Sequence, residues 1–555
     1  MCQRGMLAPA IQVSALLLAL LLTACGGGGG GGGNDAGSGG SNGVQTNPGG
    51  STPGDGGGSG AQGSQPLVYD YWINGTRLRS LVRGDSSAKP VDLGTYANKS
   101  QFWLYTRQTT FGANAELDVR NSVLLYVANN HFYRLATAGS SQPQPVQVSS
   151  EGAANSICDW HDPLLYTPDN NGAVFRYQMP GADGKCLTAD DEFREIRIGM
   201  SAGDAPLTVG KERFRANQVF TADGQLAGYL VAGSGGGIFW YDTGFANPRQ
   251  IASSVTVADA DSGFLLLAAS ADGRYRLLQL ATAGIYVLDV TTQQINKVID
   301  AGGSSVAMGF FGGRFYVYRS LGNGSKSILQ IPMDGSAVAS ELVGNLSGGA
   351  LMAGQYLIYP KLAGSNMEVY SLDLASAGAT ARLIKTLGGS DQFTVGKNRI
   401  YYRMFPQTGG TSVAGSLNAD GSDDVQFGDA LWVGVGFHNG SQPAYPHLQV
   451  DSIYLAQGAS FTATDGWQGG NLSWVDTATG RVGGSFGVMP AGVSNFAFLS
   501  TDYAGMGLGV GYAGTGANQI TLYLRADRNT GKVSLVDQSP ADFGYFWKSD
   551  WSAAE

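Results

Sequence analysis

"SIYLAQG", residues 452–458, and "LSWVDTATG", residues 472–480, decide how this chain is read. Each is a short run rich in aliphatic and aromatic residues and closed by glycine. Such runs form strands, and the polar and glycine punctuation between them forms turns. The second run ends on Asp476, with Gly480 four residues on. An Asp carboxylate can accept from the backbone two residues ahead, and glycine adopts positive φ without steric cost. The pair therefore reads as two strands, the second ending in a tight turn that leads into another.

The same pairing recurs. "FLLLAAS" precedes "IYVLDVTT", "RFYVYRS" precedes "SILQIPMDG", "YLIYPKL" precedes "MEVYSLDL", "RIYYRMF" precedes "VAGSLNADG", and "ITLYLRADRNTG" closes the series. The polar residue after the second apolar run is Asp242, Asp289, Asp334, Asp373, Asn418, Asp476 and Asp527, at steps of 39 to 58 residues. A period of about 40–50 residues with several short strands per unit is the pattern of a β-propeller blade. The expected fold is all-β, a β-propeller over residues 66–555, with eight blades first and seven next. The hairpins number nine or ten, so some are expected to be partial. The aspartates are expected to be turn-builders. "VYDYWINGTRLRSLV", residues 68–82, is placed as an early strand closing the ring beside the C-terminus. A pair of β-sandwich domains is the alternative; it calls for a linker-like break mid-chain, and none is present.

The N-terminus has a different character. Arg4 precedes a nearly apolar run from Ile11 to Leu22, and small residues follow. This is the layout of an export signal, too short for an ordinary membrane-spanning helix. Leu22-Thr23-Ala24-Cys25 resembles the lipobox of bacterial lipoproteins. The resemblance implies a signal peptide over 1–24, cleavage before Cys25, and lipidation of Cys25 with fatty acyl chains such as palmitate. More than one chain gives stable attachment to a membrane. In that family Asp after the cysteine favours inner-membrane retention; here Gly26 follows, which implies the outer membrane. Residues 25–65 are the anchor and a Gly/Ser-rich tether. Such a chain cannot offset its ordering entropy, and its root-mean-square span is roughly 35 Å.

Charged residues make up only 14 % of the 555, with a net charge of -9 and no Lys/Arg cluster. Nucleic-acid binding is set aside on that ground. Downstream of Cys25 only Cys158 and Cys186 remain. In an oxidising compartment they are expected to pair, stabilising the fold by about 3–4 kcal/mol on a chain-entropy account; two buried thiols are the alternative.

"GADGKCLTADDE", residues 181–192, is the densest acidic loop. Asp183, Asp190, Asp191 and Glu192 could offer oxygens to calcium, a hard cation that takes six to eight of them. The loop resembles the "DG…GT.DDE" loops of bacterial extracellular proteins read as calcium binders, but has Cys186-Leu187 where that pattern carries glycine. A solvated acidic turn pinned by Cys186 is the plain alternative. "CDWHDP", residues 158–163, sets His161 beside Asp162, but strand neighbours point to opposite faces. The four histidines, His131, His161, His438 and His447, have no metal-ligand spacing. "GGSNG" (39–43) matches a hydrolase elbow inside the tether, and "GVGYAG" (509–514) matches a dinucleotide fingerprint but leads into a strand; neither has its required context. "FGYFWKSDW", residues 543–551, is expected to dock the tail on the ring. No catalytic residue is assigned and no cofactor is expected, calcium apart. The expected role is an envelope lipoprotein whose propeller binds a protein or glycan; a propeller-based glycan hydrolase or lyase, and an outer-membrane assembly factor, are the alternatives.

Overall fold

The computed structural model describes residues 69–549, except for connecting segments of which the longest are 109–116, 137–145, 150–157, 198–206, 254–263, 405–412 and 440–447. The lipobox, Cys25 and the tether lie outside the described residues.

The strands form antiparallel four-stranded meanders, one after another along the chain. The third sheet is Asp159–Tyr166, Ala173–Met179, Glu192–Arg197 and Leu207–Val209. The fourth begins at Asn217–Phe220, the fifth at Phe264–Ala269, the sixth at Ser304–Phe311 and the seventh at Leu351–Ala353. The first sheet joins the two ends of the described chain: Tyr69–Asn74 pairs with Trp547–Ser549, Trp72 lying opposite Trp547. This is a β-propeller, closed by its early strand as the sequence suggests, and the tail cluster enters the ring through residues 547–549.

The units are not uniform. Among the described residues there are eight sheets; seven are four-stranded and the last has thirteen strands. The cause is the strand Val425–Asn439, which pairs first with Val413–Asn418 and then, from Ala430, with Leu448–Gln457. It fuses neighbouring units into one hydrogen-bonded sheet. An inserted hairpin, Ser460–Thr462 with Gly466–Gln468, lies in the widest interval of the repeat, Asn418 to Asp476.

The core lies between sheets. Strand residues alternate faces, so Leu278 packs with Leu230 and Trp240 of the fourth sheet, while Leu277 packs with Phe315 and Val317 of the sixth. Tyr316 and Leu357 continue the stack into the seventh sheet, and Ile358 with Ile400 into the eighth. Trp72 meets Leu508, Val510 and Tyr523, joining first sheet to last. Its Nε1 donates to Asp537 Oδ2 at 2.9 Å.

Basic side chains tie the same junctions. Arg319 Nη2 donates to Asp300 O at 3.0 Å, Lys385 Nζ pairs with Asp424 Oδ2 at 2.6 Å, and Arg525 Nη1 donates to Asp85 O at 2.8 Å. The repeat aspartates build turns, as read from the sequence. Asp289 Oδ1 accepts from Thr291 N–H at 2.9 Å, Asp373 Oδ1 from Ala375 N–H at 3.0 Å, Asp476 Oδ1 from Ala478 N–H at 2.9 Å and Asp527 Oδ1 from Asn529 N–H at 2.9 Å. Each is a side chain bonding its own backbone two residues ahead.

Candidate functional site

In a four-stranded meander the connection between second and third strands lies at the same end as the links to neighbouring sheets. In the sixth and seventh sheets that connection is short, 321–325 and 364–365; in the third it is 180–191, the acidic loop. The disulfide Cys158–Cys186 ties this loop to the residue just before the sheet's first strand, with Cα atoms 5.2 Å apart. Cys158 N–H also donates to Gln178 O at 2.8 Å. Oxidation, not two thiols, is the state of the pair.

Asp191 is the hub of the loop. Buried beneath it, Asp191 Oδ2 accepts from Leu187 N–H at 2.6 Å, from Thr188 N–H at 3.2 Å and from Gln178 Nε2. Burial alone would raise this carboxyl; the donors of Thr188, Gln178 and Leu187 outweigh it and hold it below the ordinary value. The Thr188 hydroxyl lies 2.8 Å from Asp190 Oδ1, 2.8 Å from Asp191 Oδ1 and 3.4 Å from Asp183 Oδ1. It has one proton, so it serves one of the three at a time. The same hydroxyl is the main cause of the lowered Asp190 carboxyl. Gly181 permits the close approach: a Cβ there would lie 2.0 Å from Asp190 O.

The structure thus gathers Asp183, Asp190 and Asp191 around Thr188 and leaves Glu192 apart. Glu192 starts the third strand and pairs with Arg194. The carboxylates face N–H and O–H donors, and among the described residues no group of three or more His, Cys, Asp or Glu is placed to hold a metal ion. His131, His161 and His438 stand on strands; their side chains, like His447, lie outside the described residues.

What the loop presents outward is Leu187. It is 77 % exposed and has φ of 64°. An L-residue in the left-handed region costs about 1–2 kcal/mol, and for a bulky residue this is an outlier. The Asp191 carboxylate holds the Leu187 N–H in that conformation. Asp183, Asp190 and Lys185 are exposed around it.

An ion pair on a buried carboxylate stiffens the same sheet. The helix Lys211–Arg215 links the third sheet to the fourth, and Arg213 donates through Nε and Nη2 to the two carboxylate oxygens of the fully buried Glu195, at 3.0 and 2.9 Å. Arg176, also buried, donates to Arg213 O and, at 2.9 Å, to Ala216 O. Sequence reading passed over these residues. The signal was available: Arg176 interrupts the apolar run "AVFRYQM" and Glu195 its partner "EFREIR", opposite in register.

No protein-family model matches the chain, and no curated protein matches it by sequence. Solved structures similar to it include the dihydro-heme d1 dehydrogenase NirN, at 13 % identity over 69 % of this chain and 74 % of that one, TM-score 0.29. A prolyl endopeptidase is 10 % identical over 72 % of this chain and 55 % of its own, TM-score 0.31. TolB from Acinetobacter baumannii is 13 % identical over 63 % and 81 %, TM-score 0.22. Likenesses this remote carry no activity over; the propeller follows from the strand pairing itself.

Proposed function

We propose that this chain is a lipid-anchored envelope protein whose propeller binds a protein or glycan partner through the loop end of the third sheet, without altering it chemically. One observation supports this most directly. Leu187 is an exposed apolar side chain held in left-handed backbone by a buried carboxylate and a disulfide-tied loop. Glycine would remove the backbone cost, and at 77 % exposure Leu187 gains little burial among the described residues to offset it. Strain that the surroundings enforce concentrates at functional positions.

A photo-crosslinking side chain at position 187 tests the reading. The control is position 338: Val338 is 72 % exposed but lies in the connection 333–339, at the opposite end of its sheet. Discrete adducts with an envelope protein or glycan from 187 and none from 338 are expected. Equal labelling from both positions, or turnover of a glycan in a hydrolase and lyase screen, would sink it. The anchor is tested separately: Cys25→Ser should release the protein from membranes or leave its signal uncut, and a mature N-terminus without acyl groups would refute that part.

A further inference from the structure

We propose that Asn323 is a site of spontaneous backbone modification, an exposed asparagine set to convert to aspartate and isoaspartate, and that Asn74 is protected from the same fate by closure of the ring. The sequence contains five Asn-Gly pairs, beginning at Asn42, Asn74, Asn171, Asn323 and Asn439. The side-chain bonds of Asn74 and Asn323 differ in kind.

Asn323 stands in the connection 321–325 of the sixth sheet and is exposed. Gly324 follows with φ of +85°, and nothing lies within 4 Å of where its Cβ would be. The nucleophile is the Gly324 nitrogen. Its N–H donates to Leu321 O at 2.9 Å, a bond on an exposed turn that water can replace. Asn323 Oδ1 accepts from Ser325 N–H at 2.9 Å. That oxygen becomes the oxyanion when the nitrogen adds to Cγ, so the Ser325 donor is aimed where charge develops.

The atoms balance with water alone. Hydroxide removes the Gly324 amide proton, and the nitrogen attacks Asn323 Cγ. The Cγ–Nδ2 bond breaks, ammonia leaves, and a cyclic imide remains. Water then adds to either imide carbonyl: opening one C–N bond gives aspartate, opening the other gives isoaspartate. No electrons are transferred. Isoaspartate routes the main chain through the former side chain, which lengthens the turn and displaces the Leu321–Gly324 hydrogen bond. Either product places a new negative charge three residues before Lys326, whose Nζ donates to Ser347 O at 3.2 Å.

Asn74 is held at the leaving group. Its Nδ2 donates to Asp537 Oδ2 at 2.8 Å and to Gln538 O at 2.9 Å, on the strand Lys532–Pro540 of the last sheet. Asp537 Oδ2 also takes the Trp72 indole, so turning the Asn74 amide means disturbing the ring closure.

The test incubates intact native protein and urea-unfolded protein in alkaline buffer and follows both peptides by mass and by enzymatic methylation of isoaspartate. Native Asn323 is expected to convert at a rate within a few-fold of its unfolded rate. Native Asn74 is expected to convert more than about tenfold slower than when unfolded, the factor one charge-assisted hydrogen bond supplies. Asn323→Gln should remove the isoaspartate signal from its peptide. A native Asn323 that stays amide while the unfolded one converts, or a native Asn74 as fast as native Asn323, would overturn the proposal.

Discussion

Gly480 and Gly531 end equivalent turns, four residues after Asp476 and Asp527, with φ of +67° and +63°. Alanine at either must adopt a left-handed backbone, at about 1–2 kcal/mol. Their surroundings differ. A Cβ at Gly531 would meet only Ser485 O, at 3.4 Å, whereas one at Gly480 would lie 2.0 Å from Arg399 Nε and 2.3 Å from its Cζ. Arg399 is buried and cannot swing aside cheaply. It donates to Asn418 Oδ1 at 2.7 Å, Asp423 Oδ2 at 2.9 Å, Ser416 Oγ at 3.0 Å and Asp423 O at 3.1 Å. Losing one charge-assisted bond costs about 1.5–3 kcal/mol. Gly480→Ala should therefore destabilise the protein by about 3–5 kcal/mol, and Gly531→Ala by about 1–2. Urea unfolding at neutral pH measures both. The cycle with Arg399→Ala is the sharper assay: without the guanidinium, Gly480→Ala should cost about what Gly531→Ala does. Equal costs in the native background, or additivity in the cycle, would refute the steric argument.

Acid should weaken the turns. Asp242, Asp334 and Asp423 are held below the ordinary 3.8, chiefly by Ala246 N–H, Ser336 and Arg481 respectively. A carboxyl lowered on folding contributes stability that is present at neutral pH and lost as pH falls toward its folded value. The urea midpoint should hold steady from pH 7 to about 5 and fall below about 4; a loss already complete at pH 5 would contradict this. Glu195→Gln leaves the half-buried Arg213 with a neutral partner; losing that charge-assisted contact should cost about 1.5–3 kcal/mol by urea unfolding. A cost below about 1 kcal/mol would mean that Glu195 adds little beyond its volume.

How legible the fold was follows from its energetics. The repeat of paired apolar runs was readable because each sheet must cover two faces, and residues such as Leu277 and Leu278 serve opposite neighbours. The turn aspartates were readable because their chemistry is local, two residues in reach. Ring closure by residues 68–82 was readable in outline, since a strand-like run standing apart from the paired series needed a partner. The fusion of units at Val425–Asn439 was not readable. A strand that changes partner midway looks, in sequence, like any other apolar run, and Gly428, with φ of 77° at the change, resembles the many turn glycines. The arginine ties were hidden for another reason: Arg319 and Arg525 bond to backbone carbonyls of other sheets, which leave no mark on residue type.

The acidic loop shows what a repeat conceals. Its composition was obvious and pointed to a cation; in the fold its carboxylates also accept from Leu187, Thr188, Gln178 and Asp183 donors. Composition counts oxygens; it does not count the N–H groups that a tight loop turns inward. The informative residue was the one that departs from the calcium-loop pattern, Leu187 in place of glycine. A left-handed leucine is disfavoured by about 1–2 kcal/mol whatever the partner, a cost that only the fold reveals. Elsewhere the conformation is often given to glycine, as at Gly480 and Gly531. Strands are committed to their neighbours and loops are not. In a chain built by repetition, binding is therefore sought where the period is broken at an energetic cost, and Leu187 at the tip of the disulfide-tied loop is such a place.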